Sequence, residues 1–168
     1  RTLTEEEAMD ESRRCLQCDL VCNVCTTVCP NRANVALLSL PMPHPVQVAV
    51  RDGNGVRVET LSNRRLEQSY QIVNIADACN ECGNCKSFCP YASAPYKDKF
   101  TLFASEADMA DSTNDGFAVI NPETKECKVR LLGQISDCKA DDANDKLYEG
   151  LRRLICAVID DYSYLIMK

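Results

Sequence analysis

The sequence predicts an α+β fold. Three observations predict it: two dense cysteine runs, apolar–polar alternation of period two between and after them, and a C-terminal apolar stripe of helical period. The first run is Cys15, Cys18, Cys22, Cys25 and Cys29, followed by Pro30; the second is Cys79, Cys82, Cys85 and Cys89, followed by Pro90. The second run reads C-x2-C-x2-C-x3-C-P, the spacing of a bacterial-type ferredoxin half-site for a [4Fe–4S] cluster.

Cluster chemistry accounts for that spacing. A cubane needs four thiolates, and three of them set two residues apart let one tight loop wrap three corners with its amides turned toward the sulfides. In two-cluster ferredoxins the fourth cysteine ligates the other cluster, and a proline after it turns the chain away from the loop. On that rule one cluster takes Cys29, Cys79, Cys82 and Cys85, and the other takes Cys89 with three cysteines of the first run. Counting back from Cys29 at the standard spacing gives Cys25, Cys22 and then Asp19, with Cys18 one residue early. Thiolate suits iron–sulfur chemistry better than carboxylate, which favours Cys18, Cys22 and Cys25 as the partners of Cys89. Cys15 is either a spare or substitute ligand at the rim, or a ligand paired with Cys18 that displaces Cys22; both readings stay open. The expected fold is therefore a bacterial-type 2[4Fe-4S] ferredoxin-like core with an inserted β-hairpin, a small β-rich appendage and a C-terminal amphipathic helix. Tetrahedral zinc calls for two cysteine pairs per ion and gives no reason for a further cysteine followed by proline. Disulfides suit short secreted chains, and cysteines packed this closely cannot all meet bridge geometry.

Composition narrows the function. Cysteine at 12 of 168 residues is extreme for a reducing compartment unless the thiols hold metal, and nine of the 12 lie in the two runs. A formal net charge of −6 argues against nucleic-acid binding and suits an acidic electron carrier steered toward basic partner surfaces. No apolar run approaches the roughly 20 residues that span a bilayer, so no membrane association and a cytoplasmic location are expected. The chain starts at Arg1 rather than methionine, which favours one domain of a longer polypeptide. The expected division is residues 1–104 as a dicluster domain with a hairpin inserted at 46–60, and 105–168 as the appendage and final helix.

Taken in order, Thr4 and Glu7 form a capping-box pair opening a helix over 5–14 that delivers the chain to Cys15. Residues 31–40 suggest a helical turn or two, stopped by Pro41, Pro43 and Pro45. His44, the only histidine, reads as a solvated residue of that connector. Val46, Val48 and Val50 alternate up to the turn residues 52–55, and Val56 and Val58 resume the pattern, predicting a hairpin that covers a cluster or docks against a neighbouring domain. Arg64 and Arg65 read as surface residues or a docking patch. Residues 70–75 predict a strand leading into Cys79. Phe88, Tyr91 and Tyr96 are expected to exclude water near a cluster. Residues 99–104, 116–120 and 127–132 are strand candidates, with an acidic connector at 106–115. Cys127 and Cys138 have no partner spacing and read as ordinary thiols. Leu147, Leu151, Leu154, Ile155, Val158, Ile159, Tyr162, Leu165 and Ile166 recur at helical spacing, with Asn144 or Asp145 as cap and Cys156 a plain helix residue.

Longer stretches carry a resemblance. Glu6-Glu7-Ala8 through Arg14-Cys15-Leu16-Gln17-Cys18-Asp19 resembles the junction where flavoproteins of the glutamate-synthase small-subunit type join iron–sulfur domains. Cys29-Pro30-Asn31-Arg32-Ala33-Asn34-Val35, the second cysteine run, Pro95-Tyr96-Lys97-Asp98-Lys99 and Asn114-Asp115-Gly116-Phe117 resemble the C-terminal ferredoxin region of the selenate-reductase-type iron–sulfur/FAD subunit. The resemblance covers most of residues 5–133 and includes the five-cysteine first run. It implies an NAD(P)H- and FAD-dependent oxidoreductase associated with molybdenum- or selenium-dependent hydroxylases. This stretch would be its electron-transfer module, with a flavoprotein portion of the same polypeptide or a separate flavoprotein as donor or acceptor. FAD and NAD(P) would bind elsewhere, since no G-x-G-x-x-G occurs here. No catalytic residue is expected within the chain. The rival expectation is a stand-alone dicluster ferredoxin; a purely structural cluster fits poorly, because one staple would suffice where two half-sites stand.

Overall fold

The computed structural model describes residues 2–12, 22–38, 45–53, 55–62, 69–143 and 147–166. Cys15, Cys18, Asp19, Arg14, Pro41, Pro43, His44, Arg64, Arg65, Asn144 and Asp145 lie outside the described residues, with whatever the sequence predicts of them.

The fold is mixed α and β. Helix α1 (Glu5–Ser12) opens on the predicted box: Thr4 N donates to Glu7 Oε2 at 2.9 Å and Glu7 N donates to Thr4 Oγ1 at 3.3 Å. A short helix α2 (Val24–Val28) inside the first cysteine run precedes strand β1 (Asn34–Leu38). The strand corrects the expectation of helical turns over 31–40. Ala36, Leu37 and Leu38 are good helix formers, but β1 lies antiparallel against β4 (Tyr70–Ile75) from Asn34↔Asn74 to Leu38↔Tyr70. Long-range pairing that buries Leu37 and Val73 outweighs a propensity preference of a few tenths of a kcal/mol per residue.

Between them β2 (Val46–Asp52) and β3 (Gly55–Leu61) form the predicted hairpin as a separate two-stranded sheet. Its described contacts reach the turn at Leu132 and the C-terminal helix. Arg51 Nη2 donates to the Leu132 carbonyl, and Gln47 Oε1 accepts from Glu149 N at 3.2 Å.

Beyond β4 the chain passes a 3-10 turn (Ala76–Ala78), then α3 (Asn84–Ser87) and α4 (Pro95–Asp98), and returns as β5 (Thr101–Phe103), parallel to β4. The second cysteine run is thus the crossover between two parallel neighbours. The acidic connector contains a helix, α5 (Glu106–Ala110), where Ser105 Oγ accepts from Asp108 N at 3.1 Å and Asp108 Oδ2 from Ala104 N at 3.0 Å. Ser105-x-x-Asp108 is a box-like cap that the sequence displays. Strands β6 (Gly116–Asn121), β7 (Glu126–Leu131) and β8 (Gln134–Lys139) complete a six-stranded sheet of order β1-β4-β5-β6-β7-β8. The sheet draws strands from both sides of position 105, with β5 and β6 paired in parallel.

Helix α6 (Glu149–Asp161) buries Leu151, Leu154, Ile155, Val158 and Ile159 in one core with Leu37, Val73, Leu102, Phe117 and Val129 of the sheet. Each such side chain removes roughly 1.5–3 kcal/mol of apolar exposure, which makes this stripe the main clamp on the sheet. Cys127 and Cys138 stand opposite each other in the β7–β8 register, both buried in the same core. Phe103, Met109 and Ala118 form a smaller cluster under α5.

Candidate metal centre

The antiparallel pair β1–β4 brings the two cysteine runs together. The first run ends just before Asn34 and the second begins just after Ile75, so the Asn34↔Asn74 register sets both beside the same end of the strand pair. Asn34 and Asn74 are both buried there: Asn74 Nδ2 donates to Asn34 Oδ1 at 3.1 Å, and Asn34 Nδ2 donates to the Cys25 carbonyl at 3.3 Å. A main-chain atom of the first run is thereby pinned to the strand that carries the second. Helices α2 and α3 then pack against each other.

The runs repeat each other locally. Cys22, Cys25 and Cys29 precede Cys82, Cys85 and Cys89 by the same interval, and on that count Asp19 is the counterpart of Cys79. Cys25 and Cys85 are both buried, each within its short helix. After each Cys-Pro step the chain makes the same turn: Arg32 N donates to the Cys29 carbonyl at 3.2 Å and Ala92 N to the Cys89 carbonyl at 3.3 Å. Arg32 and Ala92 both take left-handed backbone, φ +55° and +54°, which non-glycine residues adopt uncommonly. The next amide, Ala33 N, donates to Cys29 Sγ at 3.2 Å. In the second loop Glu81 and Gly83, at φ +53° and +80°, bracket exposed Cys82. Gly83 is the residue type suited to that backbone.

Cys22, Cys25 and Cys89 line one cavity of about 240 Å³ with Ile72, Pro95 and Lys99 among its walls. Burial pushes the Cys25 thiol up; Lys99 opposes this, while Cys85 and Cys22 add to it. Burial also raises the Tyr70 phenol, with Cys22 and Cys25 contributing, which places Tyr70 near these thiols. The aromatic residues expected to keep water out do so unequally. Phe88 and Tyr91 are 62% and 61% exposed, and Tyr91 only edges the cavity, so apolar cover falls to Ile72 and buried Pro95. A larger cavity of about 370 Å³ contains Cys79 as its one thiol and is walled by Glu81, Tyr96, Lys97, Asp108 and Asp111, among others. The smaller, less polar cavity is the one that gathers thiols from both runs.

Among the described residues no three His, Cys, Asp or Glu side chains converge tightly enough to grip a single ion. A cubane makes a different demand, thiols spread around corners with amides aimed at sulfur. The residues in place meet it in part: three thiols from two runs around a cavity, and an amide on Cys29 Sγ. Cys127, Cys138 and Cys156 lie outside this region, the first two in the core and Cys156 on α6. Sequence reading missed Asn34, Asn74, Tyr70 and Lys99, since nothing in their local spacing marks them.

Comparison with known proteins adds one similarity. The chain is 38% identical over 121 residues, 72% of its length, to the protein called "Putative oxidoreductase YgfK" in Escherichia coli (strain K12), and to the same degree in Escherichia coli O157:H7. It spans only 9% of the length of these relatives. No family model and no solved structure matches it. Among the described residues no helix is long and apolar enough to cross a membrane.

Proposed function

We propose that this chain is an electron-transfer module built on a ferredoxin-like pair of half-sites and holding two [4Fe-4S] clusters. Cys18, Cys22, Cys25 and Cys89 would hold one cluster, and Cys29, Cys79, Cys82 and Cys85 the other, with Cys15 as the alternative ligand of the first. The observation that carries the reading is the shared cavity: Cys89 of the second run stands with Cys22 and Cys25 of the first, the interlock that a crossed ligand set requires. When bound, each cluster would take up and release one electron at a time. The chain's own residues supply the rest. The left-handed turns at Arg32 and Ala92 aim each run's end, Ala33 N gives a hydrogen bond to sulfur, and the Asn34–Asn74 pair holds the runs in register. Such amides would favour the reduced form, burial would oppose it, and the two together would set the potential.

The similarity to part of a much longer oxidoreductase-named protein supports placing the module within, or beside, a larger oxidoreductase; its dependence on NAD(P)H and FAD is what the sequence resemblance suggests. Molybdenum- or selenium-dependent hydroxylase or reductase subunits are the partners the sequence resemblance suggests. Protein prepared anaerobically should carry about eight irons and eight acid-labile sulfides, two cubes of four. Near four irons, or stoichiometric zinc, would overturn the two-cluster reading.

A further inference from the structure

Three cysteines stand outside the two runs, and two of them are register partners. Cys127 on β7 and Cys138 on β8 are directly opposite in an antiparallel pair, so their side chains leave the same face of the sheet. Both are buried in the core under α6, at 2% and 8% exposure. The Ala140 amide donates to the Lys125 carbonyl at 3.0 Å. Hydrogen-bonded and non-hydrogen-bonded pairs alternate along such a ladder, which makes Cys127 and Cys138 a hydrogen-bonded pair with Cα atoms about 5.5 Å apart. That lies inside the span of roughly 4.4–6.8 Å that a disulfide bridges. The Cβ atoms of opposed residues, about 4.5–5.5 Å apart, stand at the limit of the roughly 3.5–4.5 Å a disulfide takes. Among the described residues β8 pairs with a strand on one side only, which leaves it room to draw in toward β7. A bond closed at the limit of its geometry is easily reduced.

We propose that Cys127 and Cys138 are a reversible dithiol–disulfide pair, closed by a low-molecular-weight disulfide of the glutathione type and reopened by the matching thiol. Local opening of the edge strand exposes Cys138 first. Its thiolate attacks one sulfur of the small disulfide, that S–S bond breaks, and one small thiol leaves. Cys127, whose Sγ–H donates to the Lys125 carbonyl at 3.6 Å in the closed core, follows as the second nucleophile. Its thiolate attacks the Cys138 sulfur of the mixed disulfide, forming the Cys127–Cys138 bond and expelling the second small thiol. Two protein thiols are oxidised, one small disulfide is reduced to two thiols, and the two protons pass from the protein thiols to the departing thiolates. The product staples the edge strand β8 to β7. Neither cysteine lines the cavity of Cys22, Cys25 and Cys89, so the pair stands apart from the two-cluster reading.

The test is thiol mapping of the cluster-loaded chain, held anaerobically in excess oxidised glutathione and then returned to excess reduced glutathione. At each stage the remaining thiols are alkylated, the chain is denatured and cut after lysine and arginine, and the peptides are weighed. Oxidation should join Glu126–Lys128 to Leu131–Lys139 as one species, lighter than the two thiol peptides together by the hydrogens lost. Reduced glutathione should part them again. Cys156→Ser should leave the linked species unchanged, and Cys138→Ser should abolish it. The wild-type peptides decide the matter even if Cys138→Ser does not fold. Peptides that stay apart in oxidised glutathione, a link from Cys127 or Cys138 to Cys156 instead, or a link that survives excess reduced glutathione would each overturn the inference. The same link in a chain that takes up no cluster would leave the inference standing and defeat only the two-cluster reading.

Discussion

Cys89 follows Cys85 closely in the chain, yet it shares its cavity with Cys22 and Cys25, because the strand pair beside the two runs sets them next to each other. The proposed crossed ligand set has a consequence for single substitutions. Cys89→Ser should degrade the cluster of the first run, and Cys29→Ser the cluster of the second, each seen as loss of one EPR signal from the reduced protein. If each substitution instead harms the cluster of its own run, the crossing is wrong. Asn34 and Asn74 act at the same scale. An unpaired buried amide costs about 1–3 kcal/mol, so each amide holds the other in place and, through the Cys25 carbonyl, holds the loop as well.

At the scale of elements, the crossover from β4 to β5 is what carries the second run, and β5 is held on its far side by β6. Gly116 of β6 stands opposite Thr101. A methyl there would lie 2.1 Å from the Thr101 carbonyl oxygen and 2.7 Å from Phe103 Cε2, against a backbone atom and a buried ring. Neither can give way cheaply. Gly116→Ala should cost about 1–3 kcal/mol or more, measured as a lower denaturant midpoint; an unchanged midpoint would mean that β5 and β6 part freely. Asp98, at the end of α4, shows how the turn toward β5 is secured. Ser93 Oγ–H and the Ala94 amide hold its carboxyl below the usual carboxylate range. The stability this adds is present above the ordinary aspartate range and fades as pH falls through the lowered value.

For the whole molecule, the relevant contrast is between nine cysteines gathered in two runs and the lack of any nucleotide fingerprint in the sequence. The cluster-loaded chain should be reduced by dithionite and not by NADPH or NADH. Mixed with a flavoprotein partner it should become reducible by a nicotinamide cofactor. If the net charge of −6 steers that encounter, added salt should slow it. Bleaching of the isolated chain by NADPH alone, followed as loss of visible absorbance, would remove the reading of a pure electron conduit. The hairpin of β2 and β3 belongs to this scale too: it is tied to the β7–β8 turn and to α6, and none of its residues is among the described walls of the cavity at Cys22, Cys25 and Cys89.

What the sequence determined by itself is what depends on neighbours in the chain. Thr4 and Glu7 name a helix start, turn residues 52–55 a hairpin, the apolar spacing from Leu151 to Ile159 a buried helix face, and Cys79 to Pro90 a thiol loop, because each signal is complete within about a dozen residues. β8 and the α5 helix went unread although Ser105 and Asp108 carry a capping signal, since short elements of mixed composition are weak against their alternatives. Tertiary structure alone decided the fate of residues 34–38. Their composition suits a helix, and only pairing with β4, burying Leu37 on Val73 and Asn34 on Asn74, makes them a strand. The same pairing decided the site: that Cys89 meets Cys22 and Cys25, and that Lys99 stands over their cavity, are facts of proximity between residues far apart in the chain. Spacing can state which thiols suit a cluster, but the charges around it are set by which strands lie side by side.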